Sequence, residues 1–214
     1  MSKPNIVIQD FAHPQNLEYT VTLNTDKDRI KFIKRIETHI RSSLEYKDYI
    51  AFLKENMDMN KCAFFDNIRN EQGSRIRIEV HHEPLTLFDI VETVINKYLD
   101  EAIPLNDLYI ADEVMELHYK NQVGLIPLSK SVHQIIHNSN EIIIPLTMVY
   151  GDYKSFLETY NDYLSEDLVN KIEMKINQTK TIRAEMFDKL KPTFTYVNVD
   201  GFNLPQKIEK SAIA

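Results

Sequence analysis

Four of the seven histidines fall in two short segments of the chain, at spacings that would let their imidazoles meet. His81 and His82 are adjacent at the end of residues 75–82, whose alternating apolar residues predict a strand. His133 and His137 lie four residues apart in a segment with helical spacing, so both project from one helix face. Neutral imidazoles are common metal ligands, and they also transfer protons near neutral pH. The residue types therefore predict a metal site with acid–base chemistry beside it.

The two histidines at the end of the predicted strand are expected to have different roles. Successive strand residues point to opposite faces, so His81 and His82 face different surroundings. We expect one of them to bind the metal and the other to face a substrate or a water molecule. Hydrolysis of a phosphate ester suits this division, because a metal stabilises the charge that develops and a nearby imidazole activates water.

The predicted elements around these segments are mainly helical, with a few short strands. The segments at 61–65 and 75–82 are predicted to pair as a hairpin with Gly73 in the turn. The other predictions rest on apolar residues that recur at helical or strand spacing. They are helices over 28–43, 46–57, 87–99, 108–119, 130–138, 153–164 and 166–190, and strands over 17–23, 125–128 and 193–199.

The histidine pattern resembles the HNH endonuclease family, whose core is a β-hairpin followed by a helix around one metal ion. The family's opening motif is commonly Glu-Val-His-His, and it stands here as residues 79–82. Residues 124–128, Gly-Leu-Ile-Pro-Leu, are similar to the second half of the motif. His133 lies nine residues after Gly124, and His137 lies four residues after His133. The resemblance covers roughly residues 62–138.

This resemblance implies the α+β class, with a ββα-metal core of hairpin and helix embedded in a mainly helical single domain. An N-terminal strand and helical region would occupy residues 1–60, and the core would occupy 61–140 with helices inserted at 87–121. A C-terminal helical extension with a terminal strand or tail would follow over 141–214.

The resemblance also implies a role for each histidine. His81 matches the first metal ligand, and His82 matches the general base that activates water. His133 matches the metal ligand on the helix. His137 matches a further histidine that is a ligand or a phosphate contact in some members. His118, in one of the inserted helices, is expected to be a helix-packing residue.

The sequence departs from the family pattern in three places. Gly124 stands where the family has an Asn that braces the loop, and Asn121, three residues earlier, is the candidate substitute. Cys62 has Phe65 where many members have the second cysteine of a structural zinc pair, so we expect Cys62 to be a core residue. The separation between His82 and Gly124 is longer than usual, because the inserted helices lie between them.

Basic residues near the motif are the candidate substrate contacts. Lys130 stands at the start of the histidine-bearing helix, where the helix end already favours anions. Arg75 and Arg77 alternate on the strand and would extend a basic track. The resemblance implies DNA as the substrate, with RNA left open. It also implies a divalent cation, Mg²⁺ in the first place, with Zn²⁺ or Ni²⁺ as alternatives because the shell is rich in imidazole.

Two other interpretations stay open. A catalytically degenerate HNH fold could act as a protein-binding or assembly module, which the missing Asn, the helical additions and the acidic balance favour. A structural zinc site would use His133, His137 and two further ligands and would leave no open coordination position. The nuclease hypothesis requires His82 near the metal in an open groove, whereas the module hypothesis predicts a filled groove or no metal.

The amino-acid composition limits which of these hypotheses fit the chain. The 214 residues include 32 acidic and 25 basic side chains, a net charge of −7, which argues against a generally basic nucleic-acid-binding surface but permits a local groove. A single cysteine excludes an intramolecular disulfide. Neither a signal segment nor a long apolar run is seen, so we expect a soluble cytoplasmic protein with no membrane partner. Abundant Lys, Asn, Ile and Tyr without Trp is typical of a low-GC bacterial or phage source.

Overall fold

The computed structural model describes residues 23, 25–71, 73, 75–138 and 143–181. Over these residues the chain is mainly helical, with two small antiparallel sheets, which confirms the predicted α+β class. The strands predicted over 17–23 and 193–199 lie outside the described residues, apart from Leu23. The part of the last predicted helix beyond residue 181 also lies outside them.

The order of elements follows the predicted order closely. Two short 3-10 helices, at Leu146–Met148 and Asn161–Tyr163, lie on either side of the α-helix at Tyr153–Thr159. The α-helices are α1 (Asp26–Ser42), α2 (Leu44–Asn56), α3 (Leu87–Asp100), α4 (Asp107–Tyr119), α5 (Lys130–Asn138), α6 (Tyr153–Thr159) and α7 (Glu166–Thr181), and the strands are β1 (Lys61–Cys62), β2 (Phe65–Arg69), β3 (Ile78–His82) and β4 (Leu125–Ser129).

Side-chain caps set the helix starts. Thr25 accepts a hydrogen bond from the third residue of α1, and Ser43 caps α2 in the same way. Thr86 and Asp89 form a reciprocal capping box at the start of α3. Asn106 accepts two backbone N–H groups at the start of α4. Because these caps are short-range, the helix starts lie within about two residues of the positions predicted from sequence.

The strand pairing differs from the prediction. The expected hairpin between 61–65 and 75–82 is wrong, because β1 pairs with β2 and β3 pairs antiparallel with β4. All five residues of β4 are buried. Strand β4 therefore gives β3 a buried, apolar partner, which a hairpin closed by a turn at Gly73 would not. Regular pairing begins at Ile78, which leaves Arg75 and Arg77 outside the strand.

A strand–strand–helix unit results from this pairing. Strand β4 runs directly into α5, and the Lys130 N–H donates to the Arg77 carbonyl at 3.0 Å, which ties the start of α5 to the segment before β3. Helices α3 and α4 are inserted between the two strands, as expected. The unit therefore consists of two antiparallel strands followed by a helix.

Gly124 lies where the two strands come together at their far end. The Glu83 N–H donates to the Gly124 carbonyl at 3.0 Å, and a Cβ at position 124 would stand 1.9 Å from the Glu83 carbonyl oxygen. Neither this Cβ nor the Glu83 carbonyl oxygen could move away without a shift of the backbone. Glycine is therefore required here for close backbone approach, which explains why no Asn occupies this position.

The core joins the helices to this unit. Apolar faces of α1, α3 and α4 pack against one another, and α7 adds Leu168 and Ile172. Cys62 is fully buried, in agreement with its expected place in the core. None of the helices in the described part of the chain is long and apolar enough to cross a membrane.

Candidate metal centre

Three of the four motif histidines meet at one point. His133 Nε2 lies 3.0 Å from His81 Nδ1 and 2.9 Å from His137 Nε2, and the three ligand atoms all lie within 4.8 Å of one another. The site forms because α5 places His133 and His137 one turn apart and packs against the face of β3 that carries His81. The two separations of about 3 Å, from His133 Nε2 to the nitrogens of His81 and His137, suit ligands of one cation at ordinary metal–nitrogen distances of about 2.0–2.1 Å.

A carboxylate stands behind His133. Glu79 Oε2 lies 2.5 Å from His133 Nδ1, and since an ionised carboxylate only accepts, the Nδ1–H donates to it. The neutral ring then has its lone pair on Nε2, which points at the other two histidines. This is the usual way in which proteins orient a histidine for metal binding. Glu79 is two residues before His81 and therefore on the same face of β3, a signal that the sequence contained.

A second carboxylate lies behind His81. Glu83 Oε2 is 3.6 Å from His81 Nε2, an electrostatic contact rather than a hydrogen bond. Burial by itself would raise the pKa of Glu83, but its contacts with His81 and Lys175 outweigh burial and lower that pKa below its ordinary value. The Glu83 carboxylate is therefore held in its charged form beside the triad. Sequence analysis did not select Glu83 or Lys175.

Exposure increases across the triad from one side to the other. His81 is buried, His133 is partly buried and His137 is exposed. Partial burial and the neighbouring His133 lower the pKa of His137, which favours the neutral form that can bind a metal. The triad is thus open to solvent at its His137 side.

His82 lies on the other face of β3, in the core. Its side chain is only 4% exposed, and its Nε2 is 2.9 Å from His118 Nε2. His118 Nδ1 donates to the Val114 carbonyl at 2.7 Å, so its Nε2 accepts and His82 donates. The ring of Tyr46 stacks on His82. Burial is the main cause that holds the pKa of His82 well below its ordinary value and the pKa of His118 at about 4.

This position does not fit the general-base role predicted for His82. A general base must reach the water or hydroxyl from which it takes a proton. His82 is enclosed by His118 and Tyr46 and is separated from the triad by the strand itself. The adjacent histidines thus divide into one that faces the candidate metal site and one that packs in the core. His118 is fully buried, in agreement with its expected packing role.

The candidate substrate contacts gather in a groove on another face of α5. Arg75, Arg77 and Lys130 are exposed and line a cavity of about 710 Å³. Other lining residues on α5 include Ser131, Gln134 and Ile135, which lie on a different helix face from His133 and His137. The basic groove and the triad therefore share α5 without facing each other directly.

Asn121 does not reach the triad. It follows α4 in a left-handed conformation with φ of 58°, a conformation that Asn tolerates better than most residues. Its backbone N–H donates to the His118 carbonyl at 2.9 Å, and its carbonyl accepts from Asp152 at 2.7 Å. Its backbone contacts therefore fix the turn after α4, and its buried side-chain oxygen has no hydrogen-bond partner in the described part of the chain, so loop bracing by that oxygen, as expected from sequence, is not seen.

The fold and the site together define an α+β protein with a strand–strand–helix unit and a candidate three-histidine metal centre. The chain belongs to the family described as Bacteriophage G278-like virion protein, which it matches over residues 2–199. Comparisons with curated proteins and with solved structures found no match. The family assignment supports a phage protein, one of the two sources, bacterial or phage, that the composition indicated.

Proposed function

We propose that the protein is a metal-dependent phosphodiesterase of the phage particle, built on an HNH-type strand–strand–helix unit. The observation that carries the proposal is the convergence of His81, His133 and His137, with Glu79 fixing the tautomer of His133. Three imidazoles that converge, one of them oriented by a carboxylate, are the arrangement that proteins use to bind a metal ion. The location in the particle rests on the family to which the chain belongs.

The donor set favours Zn²⁺ or Ni²⁺ over the Mg²⁺ expected from sequence. Three imidazoles suit zinc, nickel or copper, whereas Mg²⁺ prefers an octahedron of oxygen ligands. Glu79 and Glu83 contact the outer nitrogens of the histidines, so they are placed to orient ligands rather than to bind the ion themselves. We therefore expect the strongest binding for the metals of imidazole sites.

Each side chain of the site has a defined task in this proposal. His81, His133 and His137 would hold the cation and, as three protein ligands, would leave a coordination position for substrate or water; the cation would supply charge stabilisation at the phosphate. Glu79 holds His133 in the ligand tautomer. The Glu79 side chain is 39% exposed and is therefore better placed than His82 to accept a proton. His82 contributes by packing against His118.

The basic groove supplies the contact with the substrate backbone. No salt bridge engages Arg75, Arg77 or Lys130 within the described part of the chain. The N-terminal end of α5 adds a partial positive charge beside Lys130. Phosphate groups of DNA, or equally of RNA, would compensate these charges. Since the chain as a whole is acidic, this contact is local.

The test is cleavage of supercoiled plasmid and of single-stranded RNA by the purified chain, with Zn²⁺, Ni²⁺, Mn²⁺ or Mg²⁺ added in turn. We expect metal-dependent cleavage that His133→Ala abolishes and that His39→Ala leaves intact. His39 is a matched control because it is a half-exposed histidine on α1, away from the triad. Absence of cleavage with every metal, in a folded and metal-loaded protein, would refute the enzymatic proposal.

A His82→Ala variant separates the two assignments for that residue. We expect it to lower stability, since it removes the partner of the buried His118, while residual folded protein keeps its metal affinity and cleavage. A folded variant that binds metal normally but cannot cleave would restore the general-base role.

One observation favours a second candidate function. His82 is buried, so the acid–base partner that the HNH resemblance implies is not at the site. The same triad could then serve as a metal-stabilised binding or assembly module in the particle. This alternative predicts zinc binding and a raised melting temperature without cleavage, together with the protein's presence in purified phage particles.

A further inference from the structure

A line of contacts connects the triad to the last described helix. Glu83 follows β3 directly and is only 4% exposed. One carboxylate oxygen faces His81 Nε2 at 3.6 Å, and the other accepts a hydrogen bond from Lys175 Nζ on α7. A residue 92 positions further along the chain therefore pairs with the carboxylate behind a candidate metal ligand.

The ion pair matters because Glu83 is buried. A carboxylate removed from water is costly unless a partner compensates its charge, and removal of one partner of such a pair is strongly destabilising. Lys175 is the cation that compensates Glu83 and fixes where its two oxygens point. A carboxylate fixed in this way can orient His81 electrostatically, because its negative charge favours the tautomer with the proton on Nε2 and therefore leaves the lone pair of Nδ1 facing the triad.

We propose that Glu83 and Lys175 are positioning residues of the metal centre, and that metal binding and the docking of α7 stabilise each other. The inference rests on the metal site of the proposed function, but not on hydrolysis. Coupling of this kind is reciprocal: if α7 docking raises metal affinity by a factor, metal raises the stability of α7 docking by the same factor.

The chain contains a matched control for the docking of α7. Lys171 lies one helical turn before Lys175, and its Nζ is 2.5 Å from Asp89 Oδ2. Asp89 belongs to the capping box of α3, with Thr86, and that contact does not lead to the triad. Lys171→Met thus removes an ion pair of α7 without touching the line to His81, whereas Lys175→Met breaks it.

The first measurement is the affinity for Co²⁺ and Zn²⁺, by absorption titration and chelator competition, on the full chain and its variants. We expect Glu83→Gln to weaken binding by about 10-fold to 100-fold, as removal of such carboxylate partners typically does. Lys175→Met should weaken it at least fivefold, Lys175→Arg should restore most of the loss, and Lys171→Met should stay within twofold of the native chain. Equal losses for Lys175→Met and Lys171→Met would overturn the inference.

The second measurement is amide hydrogen exchange along α7, with and without Zn²⁺. Metal should slow exchange in the native chain and in Lys171→Met, and it should lose this effect in Lys175→Met. A native chain that binds no metal would refute the metal site itself, whereas metal binding indifferent to Lys175 would refute only the coupling. If Glu83→Gln does not fold, the comparison of the two lysine variants still decides.

Discussion

The buried pair of His82 and His118 makes stability depend on pH. Both imidazoles are neutral in the folded chain, and burial is the largest cause of their low pKa values. In the unfolded chain each ring would protonate near its ordinary pKa of about 6.5. Below that pH the unfolded state binds more protons than the folded state, so stability falls with falling pH.

The magnitude follows from His118, whose pKa falls from 6.5 to about 4 on folding. Its contribution is complete above pH 6.5 and is lost progressively as pH falls towards about 4. Over the whole window this amounts to about 3 kcal/mol of unfolding free energy, with a slope of about 1.4 kcal/mol for each pH unit. His82 shifts in the same direction and steepens the dependence.

The assay is urea unfolding between pH 7.5 and pH 4.5, with a chelator present so that no metal binds. His118→Gln keeps a polar side chain that does not titrate, so we expect a slope shallower by about 1.4 kcal/mol for each pH unit, although the variant is less stable at pH 7.5. His39→Gln removes a histidine from the surface and controls for loss of an imidazole. An unchanged slope in His118→Gln would refute the reasoning.

Three further predictions concern single positions. Gly124→Ala should lower the unfolding free energy by about 2 kcal/mol in urea, because its Cβ would strike the Glu83 carbonyl; a neutral effect would show that the strand ends relax freely. Thr86→Ala should cost about 1 kcal/mol through loss of the α3 cap, and a cost near zero would contradict the capping argument. Zinc at about 100 times its Kd should stabilise the native chain by about 3 kcal/mol in thermal unfolding, and His137→Ala should remove this gain; equal stabilisation of both would place the ion elsewhere.

Sequence pattern was sufficient for the helices and for three of the site histidines. The apolar spacing of each helix is a local signal, so α3 and α4 were predicted nearly to their ends, and the caps at Thr86 and Asn106 agree with those starts. The i, i+4 spacing of His133 and His137 was also local. The partner of a strand is not given by a local sequence signal. The pairing of β3 with β4 depends on the burial of all five β4 residues, which the spacing of residues does not show.

The predictions for His82 and Asn121 were limited by what sequence spacing can show. Alternation along β3 showed that His81 and His82 face opposite ways, but not that the face of His82 is covered by His118 and Tyr46. Asn121 was selected for its distance in sequence from Gly124, which does not indicate direction in space.

The insertion of α3 and α4 between β3 and β4 gives the triad a further consequence. His81 and His133 are 52 residues apart in the chain, so an ion bound by both would cross-link a long loop. By the entropy of loop closure, a link across a loop of this length restricts the unfolded chain by about 4 kcal/mol. A chain with one cysteine cannot form a disulfide within itself. A metal ion bound by this triad would instead cross-link the chain, and a chelator would reverse that cross-link.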